Sequence, residues 1–264
     1  MRRLSIWRSG NDTQNQNSAE NNRHSDISPY GADADCEDST MRVLELFAGT
    51  RSIGKAFEAR GHEVFSVEWD ERFDGINLYT DISILMPQDV LRMFGAPDVI
   101  WASPDCSSYS IAAISKHRRK ESDGYLAPVS EYAKRCDRTN EHLLRLISAL
   151  SPKYWFIENP RGGLRKMRFM EGLPRYTVTY CQYGDTRMKP TDIWTNHPNP
   201  RFKPMCHNGD PCHERAPRGS RTGTQGVNGS IQRAVIPLGL CEHIVDICER
   251  TPIGYWLIEI GGTK

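Results

Sequence analysis

The sequence lacks long apolar runs. None of its stretches reaches the roughly 18 consecutive apolar residues that a membrane-spanning helix needs, and no charged-then-apolar leader opens it. We therefore expect a soluble intracellular protein with no membrane partner. Net charge is nearly absent too: 34 Lys and Arg stand against 33 Asp and Glu, a formal +1. Only the distribution of that charge can point to a nucleic-acid partner. The eight cysteines lack the spacing of a disulfide framework, so we read them as reduced thiols. No G-x-G-x-x-G follows the first strand, where "FAGTRS" stands instead. That counts against a dinucleotide and permits a nucleoside cofactor without a pyrophosphate.

What is present suits one domain with a small appendage: 264 residues, 38% hydrophobic and 25% charged, enough for a core without staples. Residues 1–40 are a polar tract that cannot bury enough surface to offset its ordering entropy, and we expect a disordered tail. From Met41 the pattern is strand "MRVLELFA", turn "GTRS", helix "IGKAFEARG", strand "HEVFSVEWD", helix "DVLRMFG" and strand "PDVIWASP". An irregular stretch from about Ser107 to Arg138 follows. "TNEHLLRLISAL" then reads as a helix with a threonine N-cap, "KYWFIENP" as a strand, and "RYTVTYCQY" with "TDIWTN" as a later pair. "AVIPLGLCEHIVDICER" is an apolar helix. Alternating strands and helices imply a parallel α/β sheet, whose ligands sit at the carboxyl ends of its strands. Cys106, Glu158, Glu68 and Asp81 all fall at such ends.

Those positions suggest chemistry. The glycine turn Phe47, Ala48, Gly49, Thr50, Arg51 and Ser52 would present backbone N–H groups to a ligand. Glu68, about 20 residues on, suits ribose hydroxyls, and Trp69 suits an adenine face. Asp81 and Ile82 add a third element near an adenine amino group. Cys106, in a turn after a strand, is either a small buried hydrophobe or a nucleophile. Glu158 and Asn159 at another strand end would let a thiol and a carboxyl act on one bound ring.

In their order, "LELFAGTRSIG", "VEWD", "TDI", "SPDCSSYS" and "FIENP" resemble the DNA (cytosine-5)-methyltransferase family, from Met41 to about Arg250. The resemblance implies a Rossmann-like, S-adenosylmethionine-dependent methyltransferase domain with a small irregular target-recognition insertion. It implies a catalytic domain over 41–194, a recognition segment over 195–233 and a C-terminal helix and tail over 234–264 packing back. It implies S-adenosylmethionine held by residues 47–52, Glu68, Trp69, Asp81, Ile82 and Pro104, and a DNA substrate whose flipped cytosine is attacked by Cys106, with Glu158 at its N3 side. Departures stand beside the likeness. Pro104-Asp105-Cys106-Ser107 replaces Pro-Pro-Cys-Gln, and Glu158-Asn159-Pro160 replaces Glu-Asn-Val. "YGDTRMKPTDIW" keeps Arg187 as the match to a catalytic arginine, with Lys189 a weaker match. The short recognition segment suits a compact viral or phage-type DNA-modification enzyme. Action on cytosine in RNA and a catalytically weak DNA-binding relative stay as alternatives, and the oligomeric state stays open, with a monomer the default.

Two basic stretches complete the reading. Lys116, Arg118, Arg119 and Lys120 in "SKHRRK" would form a lid loop closing on phosphates, unless they are a solvated charge run. Residues 195–233 hold six Lys and Arg against two acids, with Arg215, Arg218 and Arg221 suited to a DNA backbone and base edges. Cys206, His207, Cys212 and His213 are four zinc-type ligands within eight residues. Their spacing is not a usual zinc pattern and adjacent Cys-His pairs point apart, so we expect a polar recognition loop without metal.

Overall fold

The structure is a computed structural model that describes residues 40–215 and 229–250. The expected tail over 1–40 therefore lies, but for its last residue, outside the described residues. Arg218 and Arg221 also lie outside them.

β1 (Arg42–Leu46) enters the glycine turn and α1 (Ser52–Glu58), then β2 (Glu63–Glu68) and the short β3 (Leu78–Tyr79). α2 (Pro87–Met93) leads into β4 (Val99–Ala102). Next come α3 (Ile114–His117), a hairpin of β5 (Arg118–Lys120) and β6 (Leu126–Pro128), and the long α4 (Glu131–Leu150). β7 (Tyr154–Pro160), β8 (Arg175–Thr179), β9 (Pro190–Thr195), α5 (Ser230–Ala234) and α6 (Leu238–Glu249) complete the chain. No helix among the described residues is long and apolar enough to cross a membrane.

Seven strands form one sheet in the order β3-β2-β1-β4-β7-β9-β8. The first five are parallel, and β9 runs antiparallel to both β7 and β8. The chain winds outward from β1 to β3, then returns to β4 on the other side of β1. The order reverses between β1 and β4, where an open α/β sheet leaves its ligand crevice. β4 is buried along its whole length, as a strand covered on both faces must be. Its side chains alternate: Val99 and Trp101 join Ile53, Phe57, Ile244 and Val245 on the α1–α6 face, while Ile100 and Ala102 join Val90, Leu143 and Ile147 on the α2–α4 face. The architecture is the expected α/β Rossmann-like one.

The segment expected to be irregular is more ordered than its pattern. α4 begins at Glu131, eight residues before Thr139, and its N-cap is Ser130, whose hydroxyl accepts from the Ala133 amide at 3.1 Å. Thr139 lies inside the helix. The first turns of α4 bury Cys136, Asp137 and Asn140, so polar residues break the apolar periodicity that marks the later turns.

Candidate active site

The turn after β1 is unusually bent. Phe47, Gly49 and Arg51 have φ of 55°, 49° and 57°, two of them non-glycine residues in the left-handed region. Arg51 is held there by Nε donating to Ser66 Oγ at 2.9 Å and by an ion pair to Glu58. Beneath it Glu45, buried in β1, accepts from the Gly54 amide at 2.9 Å and Ser66 Oγ at 2.8 Å. Burial pushes its carboxyl up. A Cβ on Gly54 would lie 2.4 Å from Glu45 Oε2, so this close approach of helix to strand requires glycine. Nothing in the spacing marks Glu45, because a lone acid inside an apolar strand looks like an outward-facing residue.

Glu68 closes the cofactor side. Its carboxylate accepts from the amides of Gly49, Trp69 and Asp70 at 3.0, 2.9 and 3.1 Å. It therefore ties the glycine turn to the end of β2, a positioning role in addition to the expected ribose contact. Trp69 beside it is 68% exposed and leaves an indole face open. Asp81 caps a 3-10 turn by accepting from the Ser83 amide at 2.8 Å, and the Ile82 side chain is buried in the core, leaving only its backbone to face a ligand.

The Pro-Asp-Cys turn is held by β7. Asn159 Nδ2 donates to the Pro104 carbonyl at 2.9 Å, while its Oδ1 is buried without a partner among the described residues. The Gly163 amide donates to the Tyr109 carbonyl at 2.7 Å, and a Cβ on Gly162 would sit 2.6 Å from that oxygen. Cys106 thus lies at the end of β4 beside Glu158 at the end of β7. Burial, then the charges of Glu158 and Asp105, push the Cys106 thiol up to about 11, and Lys189 opposes them. Glu158 is buried and accepts from Tyr180 Oη at 3.1 Å; burial raises its carboxyl, with Lys189, Tyr180 and Ser103 opposing.

Arg187, the expected catalytic arginine, and Lys189 both approach Tyr180 on the Glu158 side. The Arg187 guanidinium is held by Asp185 in a two-pronged pair and reaches the Gln232 carbonyl at 3.4 Å. Lys189 is the cation whose field reaches both Cys106 and Glu158. Its Nζ stands 4.4 Å over the Tyr180 ring and donates to the Arg233 carbonyl at 2.7 Å, and burial lowers its pKa.

The basic loop needs one correction. Arg118 is no exposed lid charge: its side chain is buried and pairs with Asp137 Oδ1 and Oδ2 at 2.7 and 3.0 Å, with Ser108 O and Oγ also accepting from it. Tyr109 lies under it, its ring centroid 4.1 Å from the guanidinium carbon. A planar, always-charged group with five donors satisfies a buried acid better than lysine would, so the internal ion pair takes precedence over a phosphate. Lys116, Arg119 and Lys120 are exposed, as is Arg215. The four-residue Cys-His set also differs. His207 faces solvent toward Asp210, and Cys181, which the spacing missed, joins Cys206, Cys212 and His213 within 4.8 Å. Cys181 is 25 residues from Cys206, too far for any local pattern to show.

No family profile matches the chain. A relative, the "Probable DNA (cytosine-5)-methyltransferase" of Frog virus 3 (isolate Goorha), is 27% identical over 241 residues, covering 79% of this chain and all of the relative. The resemblance to the DNA (cytosine-5)-methyltransferases holds. Among solved structures, a putative DNA modification methyltransferase encoded within an E. coli prophage aligns at TM-score 0.44 and 16% identity, over 59% of this chain and 46% of that one. The S. pombe Dnmt2 methyltransferase aligns at TM-score 0.42 and 14% identity, over 60% and 49%. The chain thus spans about half the length of these solved methyltransferases. The stretches that carry the likeness to the DNA (cytosine-5)-methyltransferases are the ones gathered at the carboxyl ends of β1, β2, β4 and β7.

Proposed function

We propose that this chain transfers a methyl group from S-adenosylmethionine to carbon 5 of cytosine in DNA, through a covalent adduct on Cys106. The observation that carries it is the Asn159–Pro104 bond, which seats the Cys106 turn beside Glu158 at adjacent strand ends, within the field of Lys189. The bent turn 47–52, the carboxylate of Glu68 and the open face of Trp69 form a cradle consistent with a nucleoside. With Asp81, Ile82 and Pro104 they would hold S-adenosylmethionine, which supplies an electrophilic methyl group when bound.

A cytosine in a duplex presents only its edges, so the base must be turned out of the stack. The Cys106 sulfur forms a bond to C6. The displaced electron pair moves through the ring toward N3, where the raised carboxyl of Glu158 holds or donates the proton. C5 gains electron density and would take the methyl as its bond to the cofactor's sulfonium sulfur breaks, the sulfur leaving as a neutral thioether. Loss of the C5 proton and breakage of the sulfur–C6 bond restore the aromatic ring and free the thiol. A thiol held near 11 even with Lys189 opposing is mostly protonated at neutral pH, so formation of the thiolate awaits the bound base. The described part of the 195–233 segment, with the exposed Arg215, would take part in target recognition.

The test uses a duplex carrying 5-fluorocytosine at the target position. Fluorine cannot leave C5 as a proton does, so the methylated complex stalls. The expected result is an adduct that survives denaturing electrophoresis, needs S-adenosylmethionine for full methylated trapping, and disappears in Cys106→Ala. Replacing Cys136 leaves it intact. An adduct in Cys106→Ala overturns the assignment. Matched RNA substrates distinguish the polynucleotide, because A-form grooves and the 2′-hydroxyl change the docking surface.

A further inference from the structure

The loop after β9 crosses back over the 3-10 turn Tyr180–Tyr183 that follows β8. There it brings three sulfurs and one imidazole nitrogen together. Cys181 Sγ lies 3.1 Å from Cys206 Sγ and 3.6 Å from Cys212 Sγ. His213 Nδ1 lies 3.7 Å from Cys206 Sγ and 3.6 Å from Cys212 Sγ. All four donors fall within 4.8 Å of one another. Zinc bound at about 2.3 Å from sulfur in a tetrahedron separates its sulfurs by roughly 3.8 Å, close to this spread. The 3.1 Å pair is far longer than the ~2.05 Å of a disulfide, and the cysteines are free. His213 Nε2 has no partner among the described residues, so Nδ1, aimed at the sulfurs, is the engaged nitrogen.

We propose that Cys181, Cys206, Cys212 and His213 form a structural zinc site. Four protein ligands close the coordination shell and leave no open position for a reacting water, the arrangement of a structural rather than a catalytic zinc. Three thiolates and a neutral imidazole favour zinc over the oxygen-seeking magnesium and calcium.

The fold gives the site something to hold. Between Asn196 and Arg215 the described chain has no helix or strand. Three of its backbone N–H groups donate onto one short stretch: Lys203 N to Tyr183 Oη at 2.8 Å, Cys206 N to Thr179 Oγ1 at 3.1 Å, and Glu214 N to Thr186 O at 2.9 Å. Every one of those acceptors lies on residues 179–186. The same turn carries Tyr180, which donates to Glu158, and leads to Lys189. Zinc would clasp the loop onto that turn, steadying the Glu158 side of the proposed site without touching any reacting atom. Cys206, Cys212 and His213 also lie within the 195–233 segment read as target-recognising, so the clasp would anchor that segment.

Metal content of the full-length purified chain tests this independently of methyl transfer. We expect about one zinc per chain by mass spectrometry of the metal, as a closed four-ligand site demands. Cys206→Ser and Cys212→Ser should each lower occupancy at least about tenfold. His207→Ala should retain full occupancy, because that ring faces solvent. If the cysteine variants fail to fold, the metal-free wild-type chain titrated with cobalt gives a second readout. Thiolate-to-cobalt charge transfer and tetrahedral d–d bands should appear and saturate near one equivalent. Zinc-free protein with no cobalt bands overturns the proposal, as does a Cys181–Cys206 disulfide in metal-free active protein. Zinc retained in the cysteine variants overturns it equally.

Discussion

Cys106, Glu158 and Lys189 form one electrostatic unit, and their charges set two measurable behaviours. The Cys106 thiol, held up to about 11, should react with iodoacetamide about tenfold faster per pH unit from about pH 7 to about pH 10, following its thiolate fraction. Glu158→Gln removes an opposing charge and should speed alkylation at alkaline pH. The same change should slow methyl transfer about 10²–10⁴-fold, the usual worth of an acid–base partner. Lys189→Gln should slow alkylation, because it removes the cation that favours the thiolate. Equal alkylation rates in all three proteins would break the assignment of that unit. A second behaviour concerns stability. Burial raises the Glu158 carboxyl, so the folded state holds this proton more tightly than the unfolded state. Its favourable contribution is complete below the unfolded value near 4.5 and falls away as pH rises through the folded value. The melting temperature of Glu158→Gln relative to wild type should therefore climb as pH rises above about 4.5, as read by calorimetry; a constant difference would show that the carboxyl titrates normally. At this scale the sequence carried Cys106 and Glu158, since each follows an apolar strand. It preferred Arg187 to Lys189, because both are drawn in and only the pairing of the Arg187 guanidinium with Asp185, two residues away, leaves Lys189 as the cation acting on Cys106 and Glu158.

Elements were legible where one face is apolar and obscure where burial is polar. β1, β2, β4, β7 and α6 show as apolar runs or stripes, and each was expected where it lies. The start of α4 was hidden because its inward face carries Asp137 and Asn140, which serve Arg118 and Tyr109. That ion pair fastens the β5–β6 hairpin and the Ser108 backbone to the helix. Breaking a buried pair by removing one partner costs about 3–5 kcal/mol. Arg118→Met or Asp137→Leu alone should then lower the melting temperature by roughly 6–20 °C in a domain of this size. The double variant should recover much of the loss, because no unmatched charge remains. A double variant as unstable as the singles would mean that packing around Tyr109, not charge, holds the hairpin.

For the whole molecule, a formal charge of +1 conceals a local field. Lys116, Arg119 and Lys120 are exposed together near the Cys106 turn, while the neighbouring Arg118 is neutralised inside. Neutralising the three exposed residues should flatten the slope of log affinity against log salt for duplex DNA by up to about 2–3 units, at about 0.9 per phosphate contact. An unchanged slope in filter or anisotropy binding would make them a solvated face. The sheet's alternating half was readable from the βα pattern, but the antiparallel β9 between β7 and β8 was not, since two strand-like runs say nothing of which lies inside. The pairing of α1 with α6 was equally hidden, and it bears on how the chain is made. Arg60 meets Asp246 across 186 positions of sequence, and Phe57 shares its core cluster with Ile244 and Val245. At about 5–20 residues per second, the ribosome needs roughly 10–40 s after α1 to deliver its covering helix. Throughout that interval the side of Ile53 and Phe57 that α6 later covers stays open to water or a chaperone, so yield in a heterologous host should respond to translation speed and to co-expressed holdase chaperones.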